Sequence, residues 1–422
     1  MKATFAPLIS LLASDAILIL GHGLLLTLLP VTATSHGLSP LQVALTGSAY
    51  FLGFISGCLL TPHIVRRVGH IRSFAVLAAL YASSILLLSM NSLLPAWLLL
   101  RFAMGAVISG LYTIIESWLN DRADATNRGT VLSVYAMLNM VMIALAQQLL
   151  NLSSGSSDLL FAIAAICICL AIIPVSLTLT LAPAPVKNVS ISLKKCWHHS
   201  HTGMLAVIVA GLITGAFWSL APVFAAAIDF DNAQIAWFMS ATVLGGALFQ
   251  LPIGKLSDRL DRRLVLVYMA MAGAFISALF WFTSAYQLIS SWSAALLAFL
   301  WGGSCTTLYA IALAHANDRA PPEDFVEIGS SMLLVLGASS AVGAPLASLS
   351  MHALGPGGLY AYMTCCALLF SLVVVVRRHK HPLVSTEHAE TYQVVPNMTA
   401  PTVFNLDPRH EESHEKSPPV DG

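Results

Sequence analysis

The feature that most constrains this chain is a succession of apolar runs, each bounded by charge, Pro, Gly or Asn, that recurs along most of its length. Twelve runs can be drawn, at about 7–31, 40–62, 73–91, 95–118, 130–150, 158–181, 203–228, 233–254, 264–284, 288–314, 327–350 and 359–376. Each is long enough to cross a hydrocarbon core of roughly 30 Å as a helix, in which every backbone polar group bonds internally. Membrane-spanning strands would alternate with period two, so a closed β-barrel is excluded. Charge is correspondingly scarce: 9% of the 422 residues are charged and 57% are hydrophobic, whereas soluble domains carry roughly 25% charged residues. That balance excludes a soluble enzyme, a nucleic-acid binder and a disordered scaffold. The implied fold class is an all-α polytopic membrane protein with 12 transmembrane helices. The first run follows Met1-Lys2 and continues to Pro30, too long for a signal-peptide core, and reads as an uncleaved first span.

Basic residues give the spans a direction. With the N-terminus inside, the connections at 32–39, 92–94, 151–157, 229–232, 285–287 and 351–358 face outward, and none contains Lys or Arg. Of the 20 basic residues, 19 then lie inside and one, Arg101, lies within a span. This is the positive-inside distribution, with both termini cytoplasmic. Net charge is zero, so no whole-protein field recruits nucleic acid or another charged partner. Six of the seven cysteines sit in apolar runs, and Cys196 lies in a polar loop beside His198, His199 and His201 without a ligand spacing. No disulfide framework and no metal site is expected.

The sequence also repeats. A shift of 192 residues places Gly23, Pro30 and Val31 on Gly215, Pro222 and Val223, and Gln42, Ala44, Ser48, Ala49, Leu52 and Gly53 on Gln234, Ala236, Ser240, Ala241, Leu244 and Gly245. A slightly larger shift superposes Gly105 and Leu111-Tyr112 on Gly302 and Leu308-Tyr309. A duplicated six-helix unit keeps both copies in one orientation, as parallel repeats able to rock against each other. The expected organisation is an N-terminal bundle over 1–181, a cytoplasmic linker over 182–202, a C-terminal bundle over 203–376 and a disordered cytoplasmic tail over 377–422. The tail is polar and proline-rich, with no core to build.

The loops after the second and eighth spans resemble a known signature. Gly254-Lys255-Leu256-Ser257-Asp258-Arg259-Leu260-Asp261-Arg262-Arg263 is similar to the Gly-x-x-x-Asp-Arg-x-Gly-Arg-Arg loop of the major facilitator superfamily, with Asp261 in place of the usual Gly. The first copy, from Pro62 to Arg72, keeps Arg67 and Gly69 but has Arg66 for the Asp. Arg101-Phe102-Ala103-Met104-Gly105 and Asn127-Arg128-Gly129 resemble further segments of the family, and the resemblance covers 1–380. Phe249–Gly254 and Ile115-Glu116-Ser117 are similar to the YcaD-type bacterial permeases. The Gly-Pro-rich fifth-span motif of proton-antiporting drug exporters is missing. The resemblance implies a bacterial inner-membrane transporter whose first and fourth spans line a central cavity.

Ionisable groups inside spans are expensive and usually serve a cavity. Asp15 and His22 share a face of the first span two turns apart, a candidate proton-coupling pair. Arg101, in the fourth span with Tyr112 on its face, is a candidate for holding a substrate anion or tuning a carboxylate; its counterpart in the second half is Ala298. Trp218, Trp301 and Tyr309 are candidate cavity-lining rings. Glu116 at the inner end of the fourth span is expected to pair with Arg67 or Arg72 as a gate latch, in a loop that also holds Arg66 and Gly69. Asp258 with Arg259 is the expected equivalent, beside Gly254, Arg262 and Arg263. The chain holds no Walker-type phosphate loop, and its spans show no nucleophile–base pattern. The expected function is secondary transport of a small solute, coupled to protons, by a monomer without cofactors. A non-transporting sensor and an uncoupled facilitator are the alternatives.

Overall fold

The computed structural model describes residues 2–123, 127–152, 157–177, 191–380, 392, 394 and 399–406. The helices are α1 (Lys2–Ser35), α2 (Pro40–Val68), α3 (His70–Ser89), α4 (Leu94–Arg122), α5 (Arg128–Gln148), α6 (Asp158–Leu170), α7 (Ile172–Ser176), α8 (Leu193–His199), α9 (His201–Ala227), α10 (Asn232–Arg259), α11 (Arg262–Ala285), α12 (Ser291–Cys305), α13 (Thr307–Asn317), α14 (Phe325–Leu354) and α15 (Gly358–Lys380). Among the described residues, twelve spans are long and apolar enough to cross a membrane. The sixth is α6 continued by α7, and the tenth is α12 continued by α13. The fold is therefore all-α, with twelve transmembrane helices.

The duplication recurs in the local geometry. Ser39 caps α2 in a reciprocal box with Gln42, and Asp231 caps α10 in the same box with Gln234. Each box satisfies two of the orphan N–H groups at a helix start. The repeat also fixes how helices cross. A Cβ on Gly53 would fall 1.9 Å from the Phe102 carbonyl oxygen, and one on Gly245 would fall 1.8 Å from that of Phe299. The pairs α2–α4 and α10–α12 thus cross at one register, backbone against backbone, as small residues permit between membrane helices.

One end of the bundle carries the basic loops and is called the basic end; the other lacks Lys and Arg. Towards that opposite end the two halves touch directly. Ser48 Oγ donates to the Ala341 carbonyl at 2.5 Å, and Ser240 Oγ donates to that of Ala144 at 2.8 Å. Gln148 Nε2 donates to Ser240 Oγ at 2.7 Å, tying α5 to α10.

At the basic end the sequence expectations need two corrections. Residues 399–406 do not behave as a tail without a core. They form a buried segment with a 3₁₀ turn over Pro401–Leu406, packed against α4, α5 and α14. Val403, Phe404 and Leu406 are too few for a span, yet they fill a cleft between helices. The linker expected over 182–202 is also partly structured. Residues 193–199 form α8, whose Lys195 Nζ lies 2.8 Å from Glu327 and 3.1 Å from Asp324. Those two acids hold the Lys195 ammonium above its ordinary range. Cys196, within α8, is buried, and burial pushes its thiol up to about 11, so it is neutral at pH 7. Residues 178–190, with Lys187, lie outside the described residues.

Candidate functional site

The first half holds a column of buried polar groups where α1, α4 and α5 meet. Asp15 is fully buried, and Asn139 Nδ2 donates to its Oδ2 at 2.9 Å. The same amide nitrogen donates to the Tyr135 carbonyl one turn back at 2.9 Å, and Tyr135 Oη donates to Glu116 Oε1 at 3.1 Å. One face of α5 therefore connects the two buried acids. Asp15 Oδ1 and Asn139 Oδ1 are buried without a partner among the described residues. A buried oxygen with no donor is costly, so this pair is prepared to take a proton or a ligand's N–H or O–H.

Two turns further along α1, His22 sits in a cage of tyrosines. Its Nδ1 lies 2.6 Å from Tyr81 Oη and its Nε2 lies 3.3 Å from Tyr50 Oη, with Tyr112 edge-on at 6.4 Å. The guanidinium of Arg101 lies 4.6 Å from the centre of the Tyr50 ring, a cation–π contact that substitutes for a counter-ion. His22 and Asp15 are not joined, nor are Arg101 and Asp15. The two candidates for proton coupling thus sit in separate hydrogen-bonded groups. Tyr50 and Tyr81, from α2 and α3, claim both ring nitrogens of His22, and α5 supplies Asn139 to Asp15 instead.

Between the halves lies a cavity of about 70 Å³, room for a handful of waters. Asn139 and Met140 line it from the first half, and Thr214, Phe217, Trp218, Thr242, Trp301 and Thr306 from the second. Trp301 stacks on Phe217 at 4.7 Å and donates its indole N–H to Ser277 Oγ at 2.9 Å. Trp218 and Trp301 therefore do line the cavity. Tyr112 and Tyr309 are buried but are not among its lining residues. Asn139 belongs both to the polar column and to the cavity wall.

The expected latches are rearranged. Glu116 is fully buried and accepts from the Thr399 hydroxyl, from the Ala400 N–H at 3.1 Å and from Thr402 Oγ1 at 2.7 Å. Arg66, Arg67 and Arg72 are exposed, and Gly69 (φ +88°) forms the joint between α2 and α3. Among the described residues Glu116 forms no pair with Arg67 or Arg72; the segment 399–402 donates to its carboxylate instead. In the second half Asp258 pairs with Arg262 at 3.1 Å and not with exposed Arg259; Arg262 also lies 2.7 Å from Asp318. Asp261 caps the Arg263 N–H at 2.9 Å. The Tyr392 N–H donates to Asp258 at 2.9 Å, and its ring lies where a Cβ on Gly254 would fall, 2.2 Å away.

Sequence reading missed Asn139, Tyr135, Tyr50, Tyr81, Thr399 and Thr402. Asn139 carried a usable signal, an amide inside an apolar run; tyrosines and a tail threonine carried none.

Comparison with known proteins agrees with this architecture. The family model described as Major Facilitator Superfamily matches residues 11–198 and 203–409. The chain belongs to the major facilitator superfamily. A member of this superfamily is a membrane transport protein, which fits two six-helix halves around a central cavity. Among curated superfamily relatives, the chain is 26% identical over 382 residues to the uncharacterized MFS-type transporter YcaD of Escherichia coli, covering 89% of this chain and 97% of that one. Among solved structures, it superposes on the nucleoside transporter NupG with a TM-score of 0.72 at 12% identity, covering 89% of this chain and 100% of the other. The D-xylose-proton symporter gives a TM-score of 0.66 at 13% identity over 93% and 99%. At such identities the likeness to the solved structures concerns the fold alone.

Proposed function

We propose that this chain is a proton-coupled secondary transporter of a small organic solute that works as a monomer by alternating access, with the basic end and both termini in the cytoplasm of a bacterial inner membrane. The observation that carries this is Asp15: a carboxyl buried in a span, with one oxygen unpartnered, held by an asparagine that itself lines the cavity between the halves. Burying a charged carboxylate in a membrane protein is costly, and a proton removes that cost. Protonation of Asp15 and occupancy of the cavity are thus one hydrogen bond apart through Asn139. The Lys/Arg distribution supports the orientation.

The cavity chemistry narrows the solute class. Phe217, Trp218 and Trp301 offer ring faces, while Asn139, Thr214, Thr242 and Thr306 offer hydrogen bonds. That combination suits a polar solute with a flat or sugar-like ring. Solved neighbours named for nucleosides and for D-xylose point to the same class.

A thermal-shift screen across nucleosides, pentoses and organic anions selects a solute, whose uptake is then measured in proteoliposomes under an imposed pH gradient. The pH gradient is expected to drive accumulation, and Asp15→Asn to reduce it to the level of protein-free vesicles while equilibrative exchange persists. Accumulation by Asp15→Asn equal to that of the unaltered protein would overturn the assignment.

A further inference from the structure

The two halves meet directly towards one end of the bundle, but at the basic end a piece of the C-terminal chain stands between them. Thr399, Ala400 and Thr402 engage Glu116 of α4, Thr402 also reaches the Thr113 carbonyl at 3.4 Å, and Phe404 lies on Gly329 of α14. A Cβ on Gly329 would fall 2.7 Å from the Phe404 ring, so the ring sits hard against the α14 backbone. Thr399, Ala400, Val403, Phe404 and Leu406 are all buried. Further back, Tyr392 is fastened to Asp258 and Gly254 in the loop after α10. One stretch of chain therefore bonds a carboxylate of the first half and packs on two elements of the second.

We propose that residues 399–406 are an autoinhibitory plug, which seats in the cytoplasmic mouth, holds the transporter idle in its inward-facing conformation and must leave before the cavity exchanges solute with the cytoplasm. The proposal rests on the orientation argued above. Three features of the contact suit a removable plug. Its hydrogen bonds converge on Glu116, and most come from hydroxyls that water can replace. Its apolar anchor, Phe404, enters a site shaped by the absence of a side chain at Gly329. It bridges parts that alternating access must move relative to each other, so the halves cannot close at this end while it is seated. Glu116, once released, becomes available to the basic loop carrying Arg67 and Arg72, which gives the expected latch a place in the opposite conformation.

Cys305 lines the cavity, so a thiol reagent that enters from the basic end meets it without an introduced cysteine. Its labelling by a water-soluble maleimide, resolved by peptide mass spectrometry, is measured in the full-length protein and in Phe404→Ala, Gly329→Ala and Thr399→Ala/Thr402→Ala. Labelling is expected to rise roughly tenfold or more in each: the double threonine variant loses hydrogen bonds to Glu116, Phe404→Ala loses the apolar anchor, and Gly329→Ala puts a methyl group against the Phe404 ring. Unchanged labelling in all three overturns the proposal. Hydrogen exchange on the unaltered protein tests it without substitution. The amides of 400–406 are expected to be protected, and exchange at the rate of an unstructured peptide overturns the plug. Neither readout depends on solute or proton coupling, so failure of the transport assignment is separable from failure of the plug.

Discussion

The halves share a scaffold and divide the chemistry. Both have the same capping box at the start of their second helix and the same glycine-to-carbonyl crossing between their second and fourth spans. At the repeat positions, however, Asp15 corresponds to Val207, His22 to Thr214, Arg101 to Ala298 and Glu116 to Leu313. The first half buries Asp15, Arg101 and several tyrosines within its spans, and Glu116 near the basic end. The second half buries its charged groups near the basic end, where Arg262 pairs with Asp258 and Asp318, and gives the cavity an aromatic wall. Duplication preserved what lipid demands of every helix pair, close backbone packing with satisfied polar groups. Buried charge is expensive, and one copy suffices where it serves a function.

The comparison breaks most severely if its shared part is disturbed. Gly53→Ala and Gly245→Ala each place a methyl group within 2 Å of a carbonyl oxygen, well beyond the overpacking that costs about 1–3 kcal/mol. Both are expected to abolish recovery of folded protein by size-exclusion chromatography, and to equal degree. A mild effect in only one half would deny the common crossing.

The next largest effect concerns the unshared part. Arg101→Gln removes the cation over Tyr50 and is expected to cut initial uptake by at least tenfold, about 1.4 kcal/mol. Ala298→Ser at its counterpart will leave uptake within about twofold, less than 0.5 kcal/mol. Equal sensitivity at both positions would mean that the charge is structural. Trp301→Phe keeps the ring on Phe217 but strands the Ser277 hydroxyl, and is expected to weaken solute affinity about threefold to tenfold by thermal shift, in line with one lost hydrogen bond. No change in affinity would remove Trp301 from the solute wall. The smallest effects return to the shared scaffold: Ser39→Ala and Asp231→Ala each lose a capping box, worth ~1 kcal/mol. Both will lower the melting temperature slightly and alike, and a difference between them would show that the two caps are not equivalent.

The candidate site was legible only in part. Asp15, His22 and Arg101 stand out because an ionisable residue in an apolar run is conspicuous whatever surrounds it. Their partners are not conspicuous. Tyr50, Tyr81 and Asn139 reach them from other helices, across sequence separations of 28, 59 and 124 residues. The error over Glu116 has the same origin. The nearest arginines in sequence are natural partners, yet the carboxylate is claimed from 283 to 286 residues away by a segment whose composition reads as a tail. Its few apolar residues matter only because a cleft exists to receive them.

Hydropathy, charge placement and self-similarity are properties of the chain taken in order, because lipid acts on each helix singly and on its ends. They were sufficient to give twelve spans, a repeat between the first six and the last six, a basic and a non-basic set of loops, and an energetic oddity at each buried charge. Which helix face meets which neighbour is decided by simultaneous packing of all twelve. Only that packing joined Asp15 to the cavity through Asn139, enclosed His22 in tyrosines and drew the C-terminal threonines onto Glu116.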